Sequence, residues 1–131
     1  MPLIIFASAT GGAGCSTAAA HCAHLLQKAG HSCLAVDACT NHGLALSLGL
    51  AEIPAQGWAR HAMVPSDWSS ALLQAPDHLQ LLPFGMFPTL PNAHALHMLG
   101  QWLGRSTQVC VVDVGPHLMA YAPALLPHAH A

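Results

Sequence analysis

Glycine and hydroxyl side chains are grouped in residues 8–17, which read Ser-Ala-Thr-Gly-Gly-Ala-Gly-Cys-Ser-Thr. An apolar run precedes this segment, and an alanine-rich run that favours helix follows it. A strand, a glycine-rich turn and a helix in this order are typical of a phosphate-binding loop, because glycines let backbone N–H groups approach an anion closely. The N-terminus of the helix adds partial positive charge. The sequence therefore predicts a nucleotide-binding loop formed by Gly11, Gly12, Ala13, Gly14, Cys15, Ser16 and Thr17.

Cys15 stands where such a loop normally carries a lysine. That ammonium group lies against the β- and γ-phosphates, and a neutral thiol cannot replace it. A hydrogen bond to a charged group contributes about 1.5–3 kcal/mol, so we expect the affinity for ATP to fall by about tenfold to a hundredfold. Hydrolysis should fall further, because the cation also stabilises charge in the transition state. The alternative interpretation is a tight strand-to-helix turn that binds no nucleotide.

Two aspartates each follow an apolar run that predicts a buried strand. Asp37 comes after residues 34–36, and Asp113 comes after residues 109–112. Because ligands of parallel α/β sheets bind beyond the carboxyl ends of the strands, we expect both aspartates near the loop. We predict that Ser16 and Asp113 hold Mg²⁺, and that Asp37 and Asp113 are catalytic, with Asp37 near the γ-phosphate. The alternative is that each aspartate only caps a neighbouring turn.

Four apolar runs alternate with helical segments, which predicts an α/β layered fold with a mostly parallel central sheet. We expect strands at residues 3–7, 32–36, 78–82 and 109–112, the first of them central and buried on both faces. The longer helices are expected at residues 16–29, ended by Gly30, and from the cap residue Asn92 to Leu103. The residues after Gly115 should form at most one loose helix.

The composition predicts one domain with few charges. Of 131 residues, 53% are hydrophobic and only 6% are charged, and the net charge is −2. There is no basic surface for nucleic acid and no apolar run long enough for a membrane span, so we predict neither. The first residues lack the basic region of a signal peptide. We therefore expect a cytoplasmic protein whose five cysteines are reduced and mostly buried.

The loop resembles the deviant Walker A sequence of the ParA/MinD ATPases, which reads K-G-G-x-G-K followed by two Ser or Thr residues. Within that group the chain resembles the BcsQ family of bacterial cellulose-synthesis operons. Three segments carry this narrower resemblance: Val36-Asp37-Ala38-Cys39, Gln56-Gly57-Trp58-Ala59-Arg60 and Leu79-Gln80-Leu81-Leu82-Pro83-Phe84-Gly85. Asp67-Trp68 lies between the last two, and the resemblance runs from the N-terminus to about Asp113.

The resemblance implies a P-loop NTPase-type layered fold, with residues 1–131 forming one partial ParA/MinD-like domain that ends soon after the Walker-B-like strand. It implies ATP and Mg²⁺ as cofactors. The family supports assembly or placement of the cellulose synthase complex, so the implied partners are proteins of that complex and a second copy of the chain in an ATP-sandwiched dimer. The implied location is the cytoplasm, or the periphery of the inner membrane or the cell pole when partners recruit the protein.

The chain departs from the family pattern at positions that bear on ATP hydrolysis. Thr10 and Cys15 replace the two Walker A lysines, Asn41 stands near the place of a switch I carboxylate, and family members are longer. We therefore expect weak or lost ATP hydrolysis. Two alternatives stay open: a pseudo-ATPase scaffold that binds a partner from the cellulose complex without nucleotide, and an active ATPase whose missing cation comes from elsewhere. A metal-binding protein that uses some of the eleven histidines is more remote, because no third ligand is placed beside the helical histidine pairs.

Overall fold

A computed structural model describes residues 3–7, 15–60, 68–75, 79–86 and 90–128 of the chain. Its strands are β1 (Leu3–Ala7), β2 (Cys33–Ala38), β3 (Leu73–Gln74), β4 (Gln80–Leu82) and β5 (Val109–Val114). Its helices are α1 (Cys15–Lys28), α2 (Gly43–Ser47), α3 (Trp68–Ala71), α4 (Ala93–Gly104) and the 3-10 helix η1 (Met119–His128). The predicted loop residues 8–14 lie outside the described residues, as does Asp67.

The five strands form one sheet in the order β1-β5-β2-β4-β3. All neighbours are parallel except β3, which pairs antiparallel with β4. The predicted α/β fold with a mostly parallel sheet is confirmed. The prediction that β1 is central and buried on both faces is wrong, because among the described strands β1 pairs only with β5 and only Leu3 is fully buried. An apolar run shows that a strand is shielded, but it does not determine which strands lie beside it.

Apolar side chains cover both faces of the sheet and keep β2 and β5 buried along their whole length. On one face, alanines of α1 and Leu44 of α2 pack against Ala35 and Val111. On the other face, leucines of α4 and Leu125 of η1 cover the sheet. Because side chains alternate between the faces of a strand, Asp37 and Asp113 lie on the same side as Ala35 and Val111. The packing therefore directs both carboxylates towards α1 and α2.

The ends of the two long helices follow from their sequences. The Asn92 side chain accepts a hydrogen bond from the Ala95 N–H (3.0 Å), which confirms the predicted N-cap of α4. Gly30 follows α1 with a φ of 93°, a left-handed conformation that glycine adopts without strain. The prediction that Gly30 ends this helix is therefore confirmed, and η1 is the one helix found after Gly115 within the described residues.

Candidate functional site

The residues predicted to bind nucleotide meet the described structure at the start of α1. Cys15, Ser16 and Thr17 form the first turn of that helix. Backbone N–H groups of a first turn are not used by hydrogen bonds within the helix, so they can bind an anion. The four preceding loop residues lie outside the described part of the chain: Gly11, Gly12, Ala13 and Gly14.

Asp37 and Asp113 occupy paired positions on the neighbouring strands β2 and β5. Paired residues of parallel strands lie about 4.8 Å apart and project to the same face. Both aspartates are almost completely buried, with 0% and 1% of their surface exposed. The structure thus brings the two carboxylates together at the carboxyl end of the sheet, as their strand-end positions indicated. Their catalytic roles stay predictions.

Asp113 connects the strand ends to α1. Its Oδ2 accepts a hydrogen bond from the Ser16 hydroxyl (2.5 Å) and another from the Cys39 thiol (3.1 Å). Its Oδ1 is buried and receives no hydrogen bond from any described group. A buried carboxylate oxygen without a partner has lost its hydration without compensation. This atom is therefore available to a cation or to an ordered water.

Asp37 holds the backbone that follows β2. Its Oδ1 accepts a hydrogen bond from the Cys39 N–H (3.0 Å), and its Oδ2 accepts one from the Ala45 N–H (3.1 Å) in α2. Burial raises the pKa of the Asp37 carboxyl to about 7, and the charge of Asp113 adds to the rise while the two N–H groups oppose it. Near neutral pH the side chain is thus divided between its protonated and ionised forms. A cation bound beside it would favour the ionised form.

Cys15 supplies no positive charge to the site. Burial raises the pKa of its thiol to about 11, and the charge of Asp113 and a hydrogen bond with that carboxylate raise it further. The thiol is therefore protonated and neutral at pH 7. It is neither a substitute for the lysine ammonium nor an activated nucleophile.

Cys39 is the site residue that the sequence analysis missed. Its Sγ lies 3.1 Å from Asp113 Oδ2 and 3.9 Å from Ser16 Oγ. Gly115 packs closely over it, since a Cβ on that glycine would lie 3.1 Å from the Cys39 Cα. The available signal was its place two residues after Asp37, because positions i and i+2 share a face of an extended chain.

The segments that carry the family resemblance meet behind Asp37. The indole N–H of Trp58 donates a hydrogen bond to the Asp37 carbonyl (2.8 Å). The backbone N–H groups of Trp58 and Ala59 donate to the carbonyls of Pro83 (3.1 Å) and Phe84 (3.0 Å), respectively. Three segments that are distant in the sequence therefore form one buried unit that supports the end of β2.

Asn41 borders the site as a neutral amide. Its side-chain oxygen accepts a hydrogen bond from the Gly43 N–H (3.1 Å) and closes the turn before α2. A Cβ on Gly43 would lie 2.5 Å from Ser16 Oγ and 3.2 Å from Asn41 Oδ1, so these side chains face the same small space. Asn41 therefore brings no carboxylate to the site from this position.

The oxygen donors of the site fit Mg²⁺. The Ser16 hydroxyl and the Asp113 carboxylate are the hard oxygen ligands that this ion prefers, and Asp113 Oδ1 has no partner among the described residues. The Cys39 thiol is a soft donor that Mg²⁺ does not favour. The residues present thus accommodate Mg²⁺ at Ser16 and Asp113, and Cys39 adds a donor that this ion does not need.

A cavity of about 510 Å³ opens at the opposite end of the sheet. Its walls include Ser32 and Cys33 at the start of β2, Gln80 at the start of β4, and Gln108 just before β5. Neither Asp37 nor Asp113 lines this cavity, so we do not assign the candidate site to it.

The family described as "Cellulose biosynthesis protein BcsQ" matches residues 1–111 of the chain. A curated relative, "Cellulose biosynthesis protein BcsQ" of Escherichia coli (strain K12), is 36% identical over 100 residues. These residues are 76% of this chain and 38% of the relative, so the chain spans less than half the length of that protein.

Solved structures share the fold over nearly the whole chain. Cobyrinic acid a,c-diamide synthase from Mycobacterium smegmatis, with bound ATP analog and magnesium, has a TM-score of 0.78 and 22% identity, covering 99% of this chain and 56% of that one. A ParA family ATPase from Chlorobium tepidum TLS has a TM-score of 0.74 and 22% identity, covering 98% and 57%. At these identities the likeness shows the fold alone, which is that of the ParA/MinD P-loop NTPases.

Proposed function

Since the chain belongs to the BcsQ family of cellulose biosynthesis proteins, we propose that it supports bacterial cellulose synthesis as a P-loop domain that binds Mg²⁺ and ATP weakly. In this proposal ATP hydrolysis is slow or lost. The pathway is supported by the family membership. The weak nucleotide site is supported by the contacts at the ends of β2 and β5.

The observation that carries the proposal is the position of Ser16 against Asp113. The Ser16 hydroxyl, in the first turn of α1, would hold the ion directly, and Asp113 would hold its water shell through Oδ1, which has no partner among the described residues. When bound, Mg²⁺ neutralises phosphate charge and orients the terminal phosphates. Asp37 keeps the turn and α2 in place through its bonds to the N–H groups of Cys39 and Ala45.

Cys15 explains why we assign weak binding and little hydrolysis. The neutral thiol leaves phosphate contacts to backbone N–H groups and to the hydroxyls of Ser16 and Thr17. These groups can position a phosphate, but without the lysine ammonium beside Mg²⁺ they stabilise less of the charge that shifts during phosphoryl transfer. The chain's residues thus favour recognition of the nucleotide over its turnover.

Deleting the gene from the organism's chromosome is expected to lower cellulose output, measured as glucose released by cellulase. The wild-type gene should restore the output. The Asp113→Asn variant should restore only part of it, because the amide keeps the shape of the side chain but removes the charge that holds Mg²⁺. Unchanged cellulose in the deletion strain would contradict the proposed pathway.

A second candidate function is a scaffold that needs no nucleotide. It is favoured by the neutral Cys15 and by a surface with few charges that exposes several large apolar side chains: Leu25, Leu46, Ile53, Met86, Leu90 and Met119. Full rescue of cellulose output by Asp113→Asn would favour the scaffold. So would co-purification with cellulose-complex proteins that persists when Gly14 of the predicted loop is replaced by tryptophan.

The partners follow from the family and stay proposals. We expect the chain to associate with proteins of the cellulose synthase complex. We also expect two copies of the chain to form a homodimer around nucleotide, as the family resemblance implies. Within the described residues, no helix is both long and apolar enough to cross a membrane. We propose that partner proteins bring the chain to the inner membrane or to the cell pole.

A further inference from the structure

We propose that Asp37, Cys39 and Asp113 form a binding site for a thiophilic divalent cation, with Zn²⁺ as the fitting ion. Each residue offers one ligand atom, and these atoms all lie within 4.8 Å of one another. All three residues are buried. The inference goes beyond the proposed function, because the site requires no nucleotide and uses a thiol that Mg²⁺ does not favour.

The spacing of the donors suits a small tetrahedral ion. Zinc binds sulfur at about 2.3 Å and carboxylate oxygen at about 2.1 Å, so a tetrahedral site separates these two ligands by about 3.6 Å. Cys39 Sγ and Asp113 Oδ2 are 3.1 Å apart, and the ligand atoms of the cluster span at most 4.8 Å. The cluster is therefore close to the size of a tetrahedral zinc site.

The charges around the cluster also favour a bound cation. Two buried carboxylates lie side by side, and their described contacts come from backbone N–H groups, a hydroxyl and the thiols of Cys15 and Cys39, none of which is positively charged. Asp113 Oδ1 is buried and has no partner among the described groups, while Oδ2 of the same carboxylate contacts the Cys39 thiol. This unsatisfied atom is an observation independent of the residue types, and it points to a ligand at this place.

Binding would exchange the thiol proton for the metal ion. The Cys39 thiol now donates its hydrogen to Asp113 Oδ2. A bound ion would lie between sulfur and oxygen, the thiol would become a thiolate, and its proton would leave to solvent. Ser16 Oγ, 3.9 Å from the sulfur, is placed to complete the coordination.

The presence of sulfur decides the class of metal. Thiolates prefer zinc and other soft or borderline ions, whereas Mg²⁺ takes oxygen ligands and keeps several of its waters. Gly115 packs against the sulfur, since a Cβ on that glycine would lie 3.3 Å from Cys39 Sγ. Since both ions need Asp113, Zn²⁺ at this cluster would compete with Mg²⁺ and ATP.

Cobalt titration of the reduced, chelator-treated, nucleotide-free chain tests this site. We expect thiolate-to-cobalt charge-transfer absorption that saturates at one ion per chain and disappears when Zn²⁺ is added. Cys39→Ser should abolish that absorption and weaken Zn²⁺ binding by more than about 100-fold, since losing even an outer partner of a metal ligand costs 10–100-fold. Folding of each variant is checked by circular dichroism, with Cys39→Ala as the second variant.

Cys110→Ser is the matched control, because Cys110 is a buried thiol of β5 that packs on the other face of the sheet. This variant should keep the charge-transfer absorption. Absence of the absorption in the wild-type chain, or its persistence without Cys39, would overturn the proposal. The proposed function is tested separately by ATP binding in metal-stripped buffer containing Mg²⁺, so the two can fail independently.

Discussion

Replacing Cys15 by lysine is expected to raise the affinity for ATP in the presence of Mg²⁺ by about tenfold to a hundredfold, the effect of one added charge-assisted hydrogen bond. Position 15 is the first residue of α1 and lies beside Asp113. Its thiol is neutral at pH 7, so the wild-type loop has no cation there. Isothermal titration calorimetry with ATP and Mg²⁺ compares the two proteins directly.

Cys22→Lys is the matched control for this substitution. Cys22 lies about two turns further along α1, and it is partly exposed like Cys15. The same charge placed there should change the affinity by less than about twofold, because salt screens charges separated by about 10 Å or more. Equal affinities of wild type and Cys15→Lys would show that residues 11–17 do not bind phosphates in this protein.

Replacing Gly57 by alanine is expected to destabilise the domain by about 3 kcal/mol or more, the upper range for overpacking a core. An added Cβ would lie 2.3 Å from the carbonyl carbon of Phe84 and 2.4 Å from the backbone of Pro83 and Gly85. These neighbours are main-chain atoms, so no side-chain rotation relieves the clash. Urea denaturation followed by tryptophan fluorescence would measure the loss.

The Gly57→Ala substitution should also disturb the candidate site. The segments that would be forced apart are joined by the hydrogen bonds of Trp58 and Ala59 to the carbonyls of residues 83 and 84. The Trp58 indole in turn holds the Asp37 carbonyl. Gly104→Ala is the control, because a Cβ there meets nothing within 4 Å, and we expect no loss and a gain of up to about 1 kcal/mol. An unchanged unfolding midpoint for Gly57→Ala would contradict this packing.

The sequence was sufficient for features that depend on local patterns. The apolar run of β1, the Asn92 cap and the Gly30 stop are each encoded within a few residues, and the structure has all three. The meeting of Asp37 and Asp113 could also be predicted, because the parallel strands of an α/β sheet end on the same edge. This prediction requires no knowledge of the strand order.

Features that depend on long-range pairing were not predictable. The place of β1 at the edge of the described sheet depends on which strands pair, and an apolar run does not encode its neighbours. Cys39 joined the site because β2 continues to Ala38 and the turn after it is held by Asp37. Its place two residues after Asp37 was the one signal for the site in the sequence, because its small apolar character indicated only burial. The contact of Trp58 with Asp37 joins residues 21 positions apart through a side chain, which periodicity cannot show.

Calorimetric titration of ATP into the wild-type chain, with and without Mg²⁺ and in buffer stripped of other metals, tests the proposed site most directly. We expect weak binding that requires Mg²⁺ and that falls at least about tenfold in Asp113→Asn, since a hydrogen bond to a charged group contributes about 1.5–3 kcal/mol. Asn keeps the size of the buried side chain, so the loss would report the carboxylate charge. Binding that is indifferent to both Mg²⁺ and Asp113, or no binding at all, would contradict a nucleotide site at the ends of β2 and β5.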